Sequence, residues 1–295
     1  MIPPKKRRID SKNSRIGEVL KEHGHVFSLH PYKFLVSWNG VLVLAFRGFT
    51  EKIFSLKLAL NECDLFAREN PGSMWPKCSL GCLKESRRLS MDQLKLLTKI
   101  CNDYNSQVFG GTMGDFHEAF KDNPNSMLPV LMPMRVKSLY LTLYECRSHE
   151  YVALNEEFVL KEEQPVGENA TEEEKAVATK TSKIDRIDPD EKARVEEIYN
   201  ETLEPNSYWF YASKDGHRES HYRENHLGSS IVAWVKEHLF LSQPTPFSRY
   251  KGKTIEWVNT FQLIKDFCAS IEEALPDYYT FFDQDSLHVT IRAVT

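Results

Sequence analysis

Several things are scarce or missing in this chain of 295 residues, and each absence narrows the reading. No run of 18 or more apolar residues occurs, so no segment is a candidate transmembrane helix. The longest apolar runs, such as Val41 to Phe46, are strand-sized. Met1 to Arg15 is polar, with no apolar stretch behind its basic cluster, which argues against a secretory signal. Net charge is small, at -4, so no global field draws nucleic acid, and any anion site must be a local concentration of positive charge. Cysteine is sparse, with six residues, and Cys78 and Cys82 lack a second pair at zinc-finger spacing. A chain this long, with 41% hydrophobic residues, needs no disulfide frame, so the cysteines are expected to be reduced thiols in a reducing compartment. No phosphate-binding Walker loop, dinucleotide-binding glycine fingerprint or nucleophile elbow is present.

What is present begins with Pro3-Pro4-Lys5-Lys6-Arg7-Arg8, a proline-flanked basic run that reads as a nuclear localisation signal. Residues 1–15 are expected to form a disordered basic tail. Val26 to Trp38 reads as an early strand or extended segment, and Val41 to Phe46 as a buried strand. A helix is expected from Thr50, with Ile53, Leu56, Leu60 and Leu65 at helical spacing, and a short strand over Trp75 to Leu83. Ser90-Met91-Asp92-Gln93 resembles a capping box at the head of a second helix. Glycines 110, 111 and 114 and the Asn123-Pro124-Asn125 run mark loops, and Val136 to Tyr144 with Tyr151 to Leu160 suggest neighbouring strands. Lys161 to Lys183 is rich in Glu, Lys, Ala and Thr and reads as a linker or insertion, followed by a charged helix capped at Asp188. Ser207 to Ala212 looks strand-like, Ser229 to Leu241 like an amphipathic helix, Thr254 to Ala274 like the strongest helix, and Ser286 to Val294 like a last strand. The pattern predicts an α+β fold with two βα-rich lobes around a concave cleft. The first lobe would span residues 16–160, a charged linker or insertion 161–204, and the second lobe of the same domain 205–295.

The last strand, Leu287-His288-Val289-Thr290-Ile291-Arg292, carries the chemistry. Side chains alternate along a strand, so His288, Thr290 and Arg292 are expected on one face and Leu287, Val289 and Ile291 on the other. An imidazole, a hydroxyl and a guanidinium in a row suit a phosphate, with His moving a proton and Thr and Arg holding oxygens. In the first half, Trp75-Pro76-Lys77-Cys78-Ser79-Leu80 places Lys77 and Ser79 on one strand face.

With these two strands the sequence resembles the two-histidine phosphoesterase superfamily, the ligase-T-like or cyclic phosphodiesterase-like group, whose members carry two His-x-Thr/Ser motifs on central strands of pseudo-symmetric lobes. His288-Val289-Thr290-Ile291 fits the second motif. Lys77-Cys78-Ser79-Leu80 fits the first in position and in its Ser-Leu ending, but lysine replaces histidine. The resemblance covers about residues 40–160 and 205–295. It implies a hydrolase, a phosphodiesterase acting on RNA ends or cyclic nucleotides by acid–base chemistry without metal or cofactor. His288 would be catalytic, and Thr290, Lys77, Ser79 and Arg292 would bind phosphate. Lysine has a reference pKa near ~10.4, so Lys77 serves as a cationic clamp, or as an acid if burial lowers that value.

The lysine also opens an alternative: a catalytically impaired nuclear protein that binds RNA or a nucleotide in the same cleft. A third reading is a nuclear scaffold using the charged 161–200 segment to bind another protein. The chain is expected to act as a monomer, away from membranes. Secondary candidates are the His217, His221 and His226 segment, with His221 or Arg223 supporting the phosphate site, Arg87 and Arg88 facing an RNA backbone, and Tyr208, Trp209, Phe210 and Tyr211 stacking bases.

Overall fold

Lys77 to Leu83 and His288 to Ala293 both alternate apolar and polar side chains, and both become strands of antiparallel sheets. The computed structural model describes residues 15–62, 69, 73–108, 110–112, 115–116, 128–162, 186–236, 247–250 and 253–294. The basic run at residues 5–8, Cys63, Leu65, Gly114, Asn123 to Asn125, residues 163–185 and residues 237–241 lie outside that set.

In chain order the elements are helix α1 (Arg15–His23), strands β1 (Phe27–Leu29), β2 (Pro31–Val36) and β3 (Leu42–Phe46), and helix α2 (Glu51–Asn61). Strand β4 (Lys77–Leu83), helix α3 (Met91–Gln107), and strands β5 (Leu128–Leu131), β6 (Met134–Val136), β7 (Ser138–Tyr144) and β8 (Val152–Val159) follow. Then come helices α4 (Pro189–Thr202), α5 (Pro205–Ala212) and α6 (Glu219–Arg223), and strands β9 (Gly228–Trp234), β10 (Phe247–Tyr250) and β11 (Lys253–Val258). Helix α7 (Thr260–Ala274) and strands β12 (Tyr279–Phe281) and β13 (His288–Ala293) close the chain. The fold is α+β. Two antiparallel four-stranded sheets, in the orders β12-β4-β3-β2 and β13-β9-β7-β8, form its frame.

Neither sheet respects the two sequence lobes. β12, from near the C-terminus, pairs with β4, while β7 and β8 pair in the sheet that holds β9 and β13. Each sheet thus draws strands from both of the expected ranges, 16–160 and 205–295, because antiparallel pairing joins strands by hydrogen bonds and not by sequence proximity.

One face of both sheets meets helices α3 and α7. Cys78, Leu80 and Cys82 of β4 and Val289 and Ile291 of β13 share a core with Leu94 and Leu97 of α3 and Phe267 and Ile271 of α7. Phe34 stacks on Phe267 with ring centroids 4.3 Å apart, and truncating a fully buried ring of this kind costs ~3–5 kcal/mol. The five described cysteines, 78, 82, 101, 146 and 268, are all free thiols. Helix α3 starts with the expected capping box, in which Ser90 Oγ accepts from the Gln93 amide and Gln93 Oε1 accepts from the Ser90 amide. Among the described residues no helix is long and apolar enough to cross a membrane.

Three expected elements change type. Ser207 to Ala212 lies in helix α5: Pro205 supplies its first turn, and Tyr208 and Ala212, four apart, are its buried face. Ser229 to Trp234 falls in strand β9, a central strand between β7 and β13 whose successive residues are buried on both faces, so the alternation that marks a half-buried strand is lost. Thr254 to Val258 belongs to strand β11, and helix α7 starts only after Asn259, whose side chain accepts from the amides of Phe261 and Gln262. Arg15 to His23, within and just beyond the expected tail, forms helix α1, with Ile16 and Leu20 buried.

Candidate functional site

The sheet faces turned away from α3 and α7 line a cavity of about 770 Å³. Lys77 and Ser79 of β4 and His288 and Thr290 of β13 all reach it, so four of the five residues expected to act together do meet. Arg292 does not. The β13–β9 register shifts between Thr290 and Arg292, and this irregularity puts Ala293 on the cavity in its place. The Arg292 side chain is buried elsewhere, donating to Asn61 Oδ1 at the end of α2 (3.0 Å) and to the Ala293 carbonyl (2.8 Å).

His288 Nδ1 lies 2.7 Å from the Ser286 carbonyl oxygen. A carbonyl only accepts, so Nδ1 carries the proton and Nε2 of the neutral ring is left as an acceptor. Burial, opposed by the Ser286 hydrogen bond and aided by the nearby Lys77 charge, lowers the His288 pKa to about 4. At neutral pH the ring is a base. Lys77 has moved the other way from ordinary lysines: burial, with a contribution from Lys57, lowers its pKa to about 7. Its ammonium sits over the Trp75 ring, 4.5 Å from the centroid. Near neutral pH it can both carry and give up a proton.

A second imidazole, absent from both motifs, packs on the first. His149 stacks on His288 with centroids 3.9 Å apart and planes 13° apart, and Tyr144 stacks on the other side of His149 at 4.3 Å. The turn after β7 makes this contact. His149 has φ of 58°, a left-handed conformation uncommon for a residue with a side chain, and its amide donates to the Cys146 carbonyl. The turn is locked by the neighbouring Glu150, which takes a two-pronged hydrogen bond from Arg223 (both 2.7 Å) and another from the Asp283 amide. Tyr144 fits because residue 228 is glycine, where a Cβ would fall 2.5 Å from the tyrosine hydroxyl. His149 Nε2 is 3.4 Å from Ser230 Oγ, while its buried Nδ1 has no hydrogen-bond partner. Burial, with the neighbouring His288, drives the His149 pKa far below the usual histidine range.

The remaining wall comes from the segment around α6. His217 and His221, with ring centroids 4.5 Å apart, and His226 all line the cavity, as does Arg147, whose guanidinium donates to the His221 carbonyl. Burial, then the neighbouring His217 and Arg147, lowers the His221 pKa to about 4; His217 is lowered by burial, Lys77 and Arg147. The Tyr222 hydroxyl meets Ser79 in a hydrogen bond. Five histidines, Lys77 and Arg147 thus surround one space, and its described lining contains no aspartate or glutamate. In a chain of net charge -4 that is a local excess of positive and polar groups. Among the described residues no group of three or more His, Cys, Asp or Glu is arranged to hold a metal ion.

No family model matches the chain, and neither a curated protein nor a solved structure matches it.

The secondary candidates separate cleanly. His217, His221 and His226 join the site. Arg223 supports it indirectly, by fixing Glu150 rather than by reaching the cavity. Arg87 pairs with Asp277 and covers the Tyr278 ring, and Arg88 pairs with Asp215, so both guanidiniums are already matched with carboxylates. His149, Arg147, Tyr144 and Ser230 were not legible as site residues. The one available signal was a polar turn, Cys146-Arg147-Ser148-His149, directly after a strongly patterned strand, the place where sheet scaffolds carry functional groups.

Proposed function

We propose that the cavity is a phosphodiester site, and that the protein is a metal-independent phosphodiesterase acting on RNA ends or cyclic nucleotides. The supporting observation is the pairing of a neutral histidine and a proton-bearing lysine in one cavity whose described lining holds no carboxylate. The resemblance to two-histidine phosphoesterases points the same way, with Lys77 filling the position of the missing histidine. Neighbouring strands β4 and β13 bring the two motifs together.

In this reading His288 Nε2 takes a proton from a water whose oxygen attacks phosphorus. The bond from phosphorus to the leaving ribose oxygen breaks, and the Lys77 ammonium gives that oxygen its proton. The resulting imidazolium and neutral amine exchange their proton through solvent. Ser79, Thr290 and Arg147 supply donors for the non-bridging oxygens. A nuclear address, through residues 5–8, belongs to the same proposal.

The test is hydrolysis of an oligoribonucleotide ending in a 2′,3′-cyclic phosphate. Wild type should turn it over, and His288→Ala should lose about 10²–10⁴-fold in rate, the usual worth of a positioned proton-transfer group. Binding without turnover, weakened by Lys77→Ala, would instead establish the alternative, an RNA- or nucleotide-binding protein that kept the cavity and lost the chemistry. Neither binding nor turnover would end both readings.

A further inference from the structure

A second cavity of about 760 Å³ shares a wall with the first: Trp38 lines both. Both volumes fall within the ~300–1,000 Å³ of small-molecule sites. Their chemistry is opposite. The first has histidines, Lys77 and Arg147 and no carboxylate among its described lining; the second is lined by Glu201, Glu204, Asn39 and Asn200 together with Tyr208, Tyr211 and a single cation, Lys214, whose ammonium lies over the Tyr211 ring. With two carboxylates to one ammonium, the lining is net negative and disfavours a phosphate. A flat ring that carries an amino group would be accepted, because carboxylates and amide oxygens take hydrogen bonds from the exocyclic amine of cytosine or adenine.

We propose that this second cavity holds the nucleobase adjoining the bound phosphodiester, so that the substrate is the end of a nucleic-acid strand and not an isolated small phosphate. The inference rests on the phosphodiester reading of the first cavity. Stacking surface is available for it. Trp38 is 40% exposed and Tyr211 49% exposed, although both are large rings that burial would favour, whereas Tyr208 is buried and forms the back of the cavity. Bases stack on aromatic faces of this kind with little regard to sequence.

The wall between the cavities is rigid. Trp38 begins a short 3-10 turn, Trp38–Gly40, in which Asn39 and Gly40 take positive φ (58° and 79°). Only glycine fits at residue 40, where a Cβ would fall 2.5 Å from Leu83 Cδ1. The buried Arg218 guanidinium donates to the carbonyls of Asn39 (2.7 Å), Gly216 (3.1 Å) and Lys214 (2.8 Å), and the Tyr279 hydroxyl donates to Gly40. One guanidinium therefore fixes the turn bearing Trp38 and the segment that brings His217 to the first cavity and Lys214 to the second. Two subsites held at a set spacing favour a ligand that bridges them, since its second contact forms at high effective concentration.

Calorimetric titration with two probes tests this: inorganic phosphate, and cytidine or uridine trinucleotides ending in a 2′,3′-cyclic phosphate. Tyr211→Ala should weaken the trinucleotide about tenfold, the order expected for one lost stacking platform, and leave phosphate binding unchanged. Glu204→Gln, nearly isosteric, should reduce the preference for cytidine over uridine. Trinucleotide binding unaltered in both variants, while phosphate still binds, would overturn the second subsite and leave the first standing. A parallel loss of both probes in Tyr211→Ala would also overturn it. Wild type binding neither probe would remove the phosphodiester reading and the inference with it.

Discussion

Two polar clusters in this molecule use the same residue types to opposite ends. Around β2, β3 and α4, Arg47 pairs with Asp115 (3.6 Å) and Glu196 (3.0 Å), Lys192 pairs with Asp115, and the Tyr32 hydroxyl donates to Glu196. Arg47 and Lys192 each meet a carboxylate there. In the cavity between β4 and β13, histidines, a lysine and an arginine face one space with no carboxylate among its described lining. The first arrangement is what holding elements together requires, because a desolvated charge needs its counter-charge built in. The second, in the proposed reading, leaves the counter-charge to be supplied by an anionic ligand.

The comparison predicts a double dissociation, and its activity half is the His288→Ala loss of about 10²–10⁴-fold described above. That variant should unfold in urea at nearly the wild-type midpoint. Asp115→Ala should do the reverse. It strips partners from Arg47, Lys192 and Thr112, so unfolding in urea should show a loss of about 2 kcal/mol with turnover little changed. If Asp115→Ala abolishes turnover, the two clusters are not separate in function.

pH sharpens the contrast. The proposed chemistry needs His288 neutral and Lys77 charged, so the rate should rise with pH through about 4 and fall through about 7. Lys77→Met should remove the fall at the alkaline side, apart from its cost in rate. Stability follows a different sign check. The folded pKa values of His288 and His221 lie below the unfolded value, so the unfolded chain binds more protons between about pH 4 and pH 6.5, and stability drops as pH falls through that window. Hence His288→Ala should flatten the drop, measured as urea midpoints at pH 7 and pH 4.5. An unchanged slope would mean that the imidazole is not held neutral by burial.

The smallest effect belongs to a pair that is neutralised yet exposed. Lys99 and Asp103, one turn apart on α3, are 2.5 Å apart with both side chains more than half in solvent. Asp103→Ala should change stability by no more than about 0.5 kcal/mol. A larger loss would show that pairing alone, without burial, stabilises this fold.

How much of this was readable beforehand differs by element. The capping box at Ser90 and the cap at Asp188 were legible because a cap is a local hydrogen bond between residues two or three apart. The polar faces of β4 and β13 were legible because alternation follows from backbone geometry. Strand β9 was not, since a central strand covered on both faces loses its period, and α5 was not, since aromatic content favours strands until packing decides otherwise.

Sequence by itself determined which residues could share a strand face: His288 with Thr290, and Lys77 with Ser79. Tertiary structure alone decided that these two faces line one cavity, that an irregular pairing turns Arg292 away from it, and that His149 stacks on His288 from a turn 139 positions earlier in the chain. It also decided the proton chemistry. Lysine has an ordinary pKa in any sequence, and burial, with the nearby charge of Lys57, brings that of Lys77 down to about 7. The physical reason is range. Alternation and capping act over a few residues, whereas desolvation and charge coupling depend on which distant segments close over a group.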